Sequence, residues 1–74
     1  MAFELTLTGE GETLSQNLGI VDKRRVELAT IAQEAYLNLG LMAESLQLAA
    51  RSCNTLEELV FVSALVGAYT ERHE

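Results

Sequence analysis

The 74-residue sequence reads as an all-α protein, an antiparallel helical hairpin with an extended N-terminal arm. A heptad seam, a capping box at each of two helix starts and one helix apolar on every side carry that reading. The seam is Leu28, Ala32, Ala35, Leu39, Met42, Leu46, Ala49 and Cys53, alternately four and three residues apart, which is the period of a single buried helical stripe. It passes Gly40 without losing phase. One continuous helix over about 22–51 is expected, with Asp22 as its N-cap. Gly40 would cost that helix about 1 kcal/mol relative to alanine and mark a mild bend or a close helix contact. The competing reading splits the helix at Gly40.

Ser52-Cys53-Asn54 is a short polar link, and Thr55 with Glu58 has the spacing of a capping box, so a second helix is expected over about 55–72. Two helices joined so tightly fold back on each other. At the other end of the chain, Phe3, Leu5 and Leu7 alternate with Glu4, Thr6 and Thr8, the pattern of a half-buried strand. That arm could add a strand to a partner's sheet. Gly9-Glu10-Gly11 reads as a flexible turn, Thr13-x-x-Gln16 as a further capping box, and 13–18 as a short helix closed by left-handed Gly19 with Ile20 in apolar contact. A loose β-hairpin through residues 9–11 is the alternative for this segment. The whole of 1–74 is read as one helical domain with residues 1–21 as its arm.

Size and composition then point to association. Apolar side chains make up 49% of the chain before glycine is counted, at the top of the roughly 45–50% usual with glycine included. Ordering a short chain costs on the order of 1.5 kcal/mol per residue, which a small core barely offsets, so disulfides, metals or oligomerisation usually assist. One cysteine and one histidine support neither an internal disulfide nor a zinc site. A helical homo-oligomer, most simply a dimer, is therefore expected. Helix lengths agree: at 1.5 Å per residue the first helix is about 45 Å long and the second about 27 Å. The stretch 25–32 would need cover from the arm or from another chain. The second helix distributes apolar residues around every side, more than one hairpin partner covers. The expected interface is Leu28 and Ile31 on the first helix with Leu59, Phe61, Val62, Ser63, Val66 and Gly67 on the second.

Eleven acidic against five basic residues give a net charge of −6, which repels nucleic-acid backbones and anionic membranes unless the cations gather on one patch. Lys23, Arg24 and Arg25 are the single cluster, a candidate contact for an acidic partner. Successive helical residues diverge by about 100°, so the alternative is a solvated turn beside Asp22 and Glu27. No apolar run approaches the roughly 18 residues that span a bilayer. The first residues lack the basic and apolar regions of a secretory signal, and a lone cysteine suits a reducing compartment, so a soluble cytoplasmic protein is expected.

No catalytic, cofactor or metal site is expected. The sequence contains no Ser/His/Asp or Cys/His constellation, no phosphate-cradling loop and no metal-ligand spacing. Cys53 reads as a packing residue, His73 as a terminal one, and Tyr36 and Tyr69 as core-edge rings with hydroxyls reaching water. Residues 35–40 look like part of a tetratricopeptide helix, but no 34-residue period recurs. A helix-turn-helix through Gly40 would put one arginine and several leucines where base-reading side chains belong. The expected function is a small non-enzymatic protein-binding module, adaptor, chaperone-like or inhibitory, acting on another protein as a homo-oligomer. The alternatives are a structural subunit of a larger assembly or, less favoured, an acidic nucleic-acid-associated regulator.

Overall fold

Two glycines in the left-handed region of backbone space set the helix boundaries in the computed structural model, which describes residues 9–72. The helices are α1 (Gly9–Asn17), α2 (Asp22–Leu39), α3 (Met42–Ala50) and α4 (Leu56–Arg72), and no strand occurs among the described residues. The expected arm residues Phe3, Leu5 and Leu7 lie outside them.

The continuous helix over 22–51 is corrected to α2 and α3. Gly40, at φ +69°, donates its N–H to Tyr36 O at 2.8 Å, the αL closure that ends a helix. The next residue, Leu41, is extended and opens α3. The heptad spacing survives the corner because both helices turn a face to the same core: Leu28, Ala32 and Ala35 are buried on α2 and Ala49 on α3. Leu39, at the corner itself, is turned outward. Phase continuity reports a shared core, therefore, and not an unbroken helix. The cap of α2 is corrected too. Val21 is the extended residue before the helix and makes no side-chain cap, while Asp22 stands in the first turn.

The N-terminal segment is more helical than its sequence suggests. Residues 9–11, expected as a turn, form the start of α1, and Thr13 lies inside that helix rather than capping it. Its C-terminal end follows expectation. Gly19 takes φ +77°, Gly19 N–H donates to Gln16 O at 3.1 Å and Ile20 N–H to Ser15 O at 2.9 Å, the paired bonds of a Schellman closure. Ile20 is buried behind it.

Packing replaces the two-helix hairpin with a small bundle. Helices α2, α3 and α4 pack on one another, and α1 lies against α2 and α4. The core joins Leu28, Ala32 and Tyr36 of α2 to Phe61, Leu65 and Tyr69 of α4. Tyr36 and Tyr69 are buried, with ring centroids 5.9 Å apart at a tilt of 52°, a favourable aromatic geometry. They are core residues and not core-edge ones. The radius of gyration is 10.8 Å, against about 11 Å for a single compact chain of this length. Splitting the long helix is what allows this: a corner at Gly40 folds α3 back, so the stretch 25–32 has its Leu28 and Ala29 covered within the chain.

Candidate functional site

The basic triplet at the start of α2 is dispersed by helical geometry and by three different environments. Lys23 is exposed. Arg25 Nε lies 3.7 Å from Asp22 Oδ1, one turn back. Arg24 reaches across the bundle: its Nε donates to Glu58 Oε2 at 2.9 Å and one terminal nitrogen to Glu58 Oε1 at 2.9 Å. The same nitrogen donates to the carbonyl of Ser52, and the other to Glu27 Oε1 at 3.2 Å. The fork-to-fork pair is the geometry in which an arginine–carboxylate contact is strongest.

Glu58 is placed for that contact by its capping position. Thr55 Oγ1 accepts from Glu58 N–H at 3.1 Å, as the Thr-x-x-Glu spacing predicts. The reciprocal bond is displaced by one residue, because Glu58 Oε1 accepts from Asn54 N–H at 2.8 Å. Arg24 first, and Asn54 N–H second, hold the Glu58 carboxyl below the ordinary carboxylate range. Bonds to Glu58 and Glu27 raise the Arg24 guanidinium above its already high value. The contacts of this network are internal to the fold and lock the start of α2 to the link 51–55 and the start of α4.

An open cleft of about 370 Å³ borders the network, lined by Leu18, Gly19, Ile20, Val21, Arg24, Thr55, Glu57 and Glu58. Arg24 and Glu58 in its wall are committed to each other. Cys53 stands nearby, half-buried, with Sγ 3.8 Å from Ala49 O. Burial, reinforced by the Glu58 charge, pushes its thiol upward, so the nucleophilic thiolate is scarce at neutral pH. No group of three or more His, Cys, Asp or Glu side chains able to hold a metal occurs among the described residues. No helix among them is long and apolar enough to cross a membrane.

The residues expected to form an interface separate into two classes. Leu28, Phe61, Val62 and Val66 are fully enclosed by their own chain. Ile31, Leu59, Ser63 and Gly67 are half-buried. Besides Val21 and Val26 at the start of α2, 68% and 45% exposed, large exposed apolar side chains occur in two other places. One is the α2–α3 corner, where Leu37 is 58% exposed, Leu39 43% and Leu41 58%, with Leu48, 41% exposed, further along α3. The other is the outer side of α4, where Leu56 is 72% and Val60 43% exposed.

The corner is legible only once Gly40 is known to break the helix. Leu41, the extended residue before α3, and Leu48, near the helix's far end, are both exposed. The run 35–43 carries no charge, and the exposed carboxylates Glu34 and Glu44 border it. Behind it, Ser45 is wholly buried, its hydroxyl shared between Leu41 O at 2.5 Å and, at 3.4 Å, Ala35 O of α2. A serine satisfied by its own preceding turn packs like a small apolar residue, which sequence pattern alone does not reveal. Comparison with protein families, with curated proteins and with solved structures finds no match for this chain.

Proposed function

We propose that this chain is a small non-enzymatic protein-binding module, adaptor, chaperone-like or inhibitory, that works as a helical homo-oligomer and engages its partner through the α2–α3 corner. The observation that carries the reading is the group of outward leucines at 37, 39, 41 and 48 on a chain that has closed its own core. Isolated exposed apolar residues are ordinary, but a cluster rimmed by charge marks an interaction site. Glu34, Glu44 and the net charge of −6 fit an amphipathic helical segment whose apolar face is flanked by lysine or arginine. A cytoplasmic setting suits the hindered, protonated thiol of Cys53.

The test uses a synthetic amphipathic helix with a leucine face flanked by lysines, titrated by fluorescence into the full chain. Saturable binding that weakens at least tenfold as salt rises is expected, and at least tenfold again in the Leu41→Glu/Leu48→Glu double variant. Equal binding to the variant, or no binding up to about 1 mM peptide, an affinity near 4 kcal/mol, contradicts the reading. The nucleic-acid alternative loses support from the diversion of Arg24 into Glu58, because the three cations then form no common patch. The structural-subunit alternative keeps one supporting observation: two separate apolar faces, the corner and α4, are what open-ended heterologous assembly requires.

A further inference from the structure

The corner between α2 and α3 is a helix C-terminus as well as an apolar surface. Gly40 N–H donates to Tyr36 O, and no backbone N–H reaches the carbonyls of Leu37, Asn38 or Leu39 among the described contacts. Residues 37–41 are all exposed, so these carbonyls meet solvent at the leucine surface. The ends of α1 and α3 differ. The carbonyls of Leu14, Ser15 and Gln16 are taken by N–H groups of residues 18–20, and those of Leu48, Ala49 and Ala50 by residues 51–53. A guanidinium completes the second end: Arg24 donates to Ser52 O, just past α3, while also pairing with Glu58 and Glu27.

Resting on the corner-binding reading above, we infer that the partner's cation is an arginine whose guanidinium caps the C-terminal end of α2, donating to the carbonyls of residues 37–39 while the partner's apolar face lies on Leu37, Leu39 and Leu41. Charge commits the site to a cation. The negative end of the helix dipole lies at those carbonyls, and α2 has no basic side chain in its last turn. Residues 26–50 hold Glu27, Glu34 and Glu44 with no Lys, Arg or His. Two of these carboxylates border the helix end: Glu34 is exposed one turn before Asn38, and Glu44 is exposed in the first turn of α3.

Geometry then separates arginine from lysine. The carbonyls that end a helix are splayed around its axis, successive ones about 100° apart, so a group that satisfies more than one of them needs several N–H donors in a spread arrangement. The guanidinium holds five in one plane, and it is more weakly hydrated than an ammonium, which lowers the cost of bringing it against leucines. An ammonium is a compact, strongly hydrated point charge. Lysine therefore serves the carboxylates alone, whereas arginine serves both the carboxylates and the helix end. The contact of Arg24 with Ser52 O is the same recognition made inside the chain.

The experiment titrates the full chain with two synthetic amphipathic helices of identical leucine face, one flanked by lysines and the other by arginines, at the same salt. The arginine peptide is expected to bind about 2- to 10-fold tighter, the worth of one added hydrogen bond, and to move the carbonyl-carbon chemical shifts of Leu37, Asn38 and Leu39 further than the lysine peptide does. In the Glu34→Gln/Glu44→Gln double variant, altered only at exposed positions, both peptides weaken and the arginine preference persists. Equal affinities, an arginine preference that disappears with the two carboxylates, or carbonyl shifts that do not respond overturn the capping contact and leave binding through the corner in place. No binding of either peptide to the parent chain overturns the corner reading and this contact together.

Discussion

The turn between α2 and α3 and the link between α3 and α4 stand at the two ends of the same nine-residue helix, yet one is held by backbone conformation and the other by charge. At the first, a positive-φ glycine and the Ser45 hydroxyl close the corner, and no ion pair crosses it among the described contacts. At the second, Arg24, Glu58, Ser52, Asn54 and Thr55 form one connected network. The difference decides what each end can offer. Hydrogen bonds and charges used inside the fold are no longer available outside it, so the polar junction stabilises, whereas the corner presents Leu37, Leu39 and Leu41 to solvent.

The largest effect on stability should come from cutting the charged junction. Arg24→Ala leaves Glu58 without its main partner and the Ser52 carbonyl without its donor, a loss of about 2–3 kcal/mol. Equilibrium urea denaturation measures it, and for a domain of this size melting should fall by roughly 4–8 °C per kcal/mol. Glu27→Ala removes only the exposed half of the same guanidinium's pairing and should cost under about 0.5 kcal/mol. Equal losses from the two variants would show that the cross-bundle pair is no anchor.

Acid should dissolve the same junction selectively. Glu58 is held below its ordinary value in the folded chain, so its contribution is complete above the unfolded carboxylate value of about 4.3 and is lost as pH falls through the lower folded value. Stability of the parent should therefore decline below about pH 4 more steeply than that of Glu58→Gln. Parallel pH profiles would mean that Glu58 titrates alike folded and unfolded.

At the corner the expected change is smaller. Gly40→Ala forces a side chain into the left-handed region at φ +69°, a cost of about 1–2 kcal/mol set partly against the reduced freedom of the unfolded chain. Nothing lies within 4 Å of a Cβ at that position, so strain and not collision is what denaturation would read. Had the helix been continuous, alanine would have stabilised it by about 1 kcal/mol, and the sign of the change separates the two. Smallest of all is the expected response of Cys53. Alkylation by iodoacetamide at pH 7 should run slower than for a free thiol and reach the free-thiol rate in urea, whereas fast reaction in the native state would contradict the raised thiol.

What was legible in the sequence follows physical range. Local rules found Thr55 and Glu58 as a cap and Gly19 as a left-handed closure, because those signals lie within a few residues of the structure they specify. The Gly40 break was hidden because the seam keeps phase on both sides of a corner facing one core. Arg24 and Glu58 are 34 residues apart, beyond any local pattern, and Arg24 was read with its neighbours as a surface cluster. The expected interface residues were misled by one step: an apolar helix was assumed to exceed the cover its own chain could give, but α2, α3 and α1 together enclose Phe61, Val62, Leu65, Val66 and Tyr69. The same fold turns Leu39, a seam position of an unbroken helix, outward together with Leu37 and Leu41.

Amide chemical-shift mapping during titration with the lysine-flanked amphipathic peptide tests most directly whether the corner is a binding surface. Perturbations concentrated over residues 34–48, with the cleft residues Leu18–Val21 and the outer face of α4 little changed, are expected. Perturbations centred on that cleft or on α4, or spread evenly over the chain, would contradict binding through the corner.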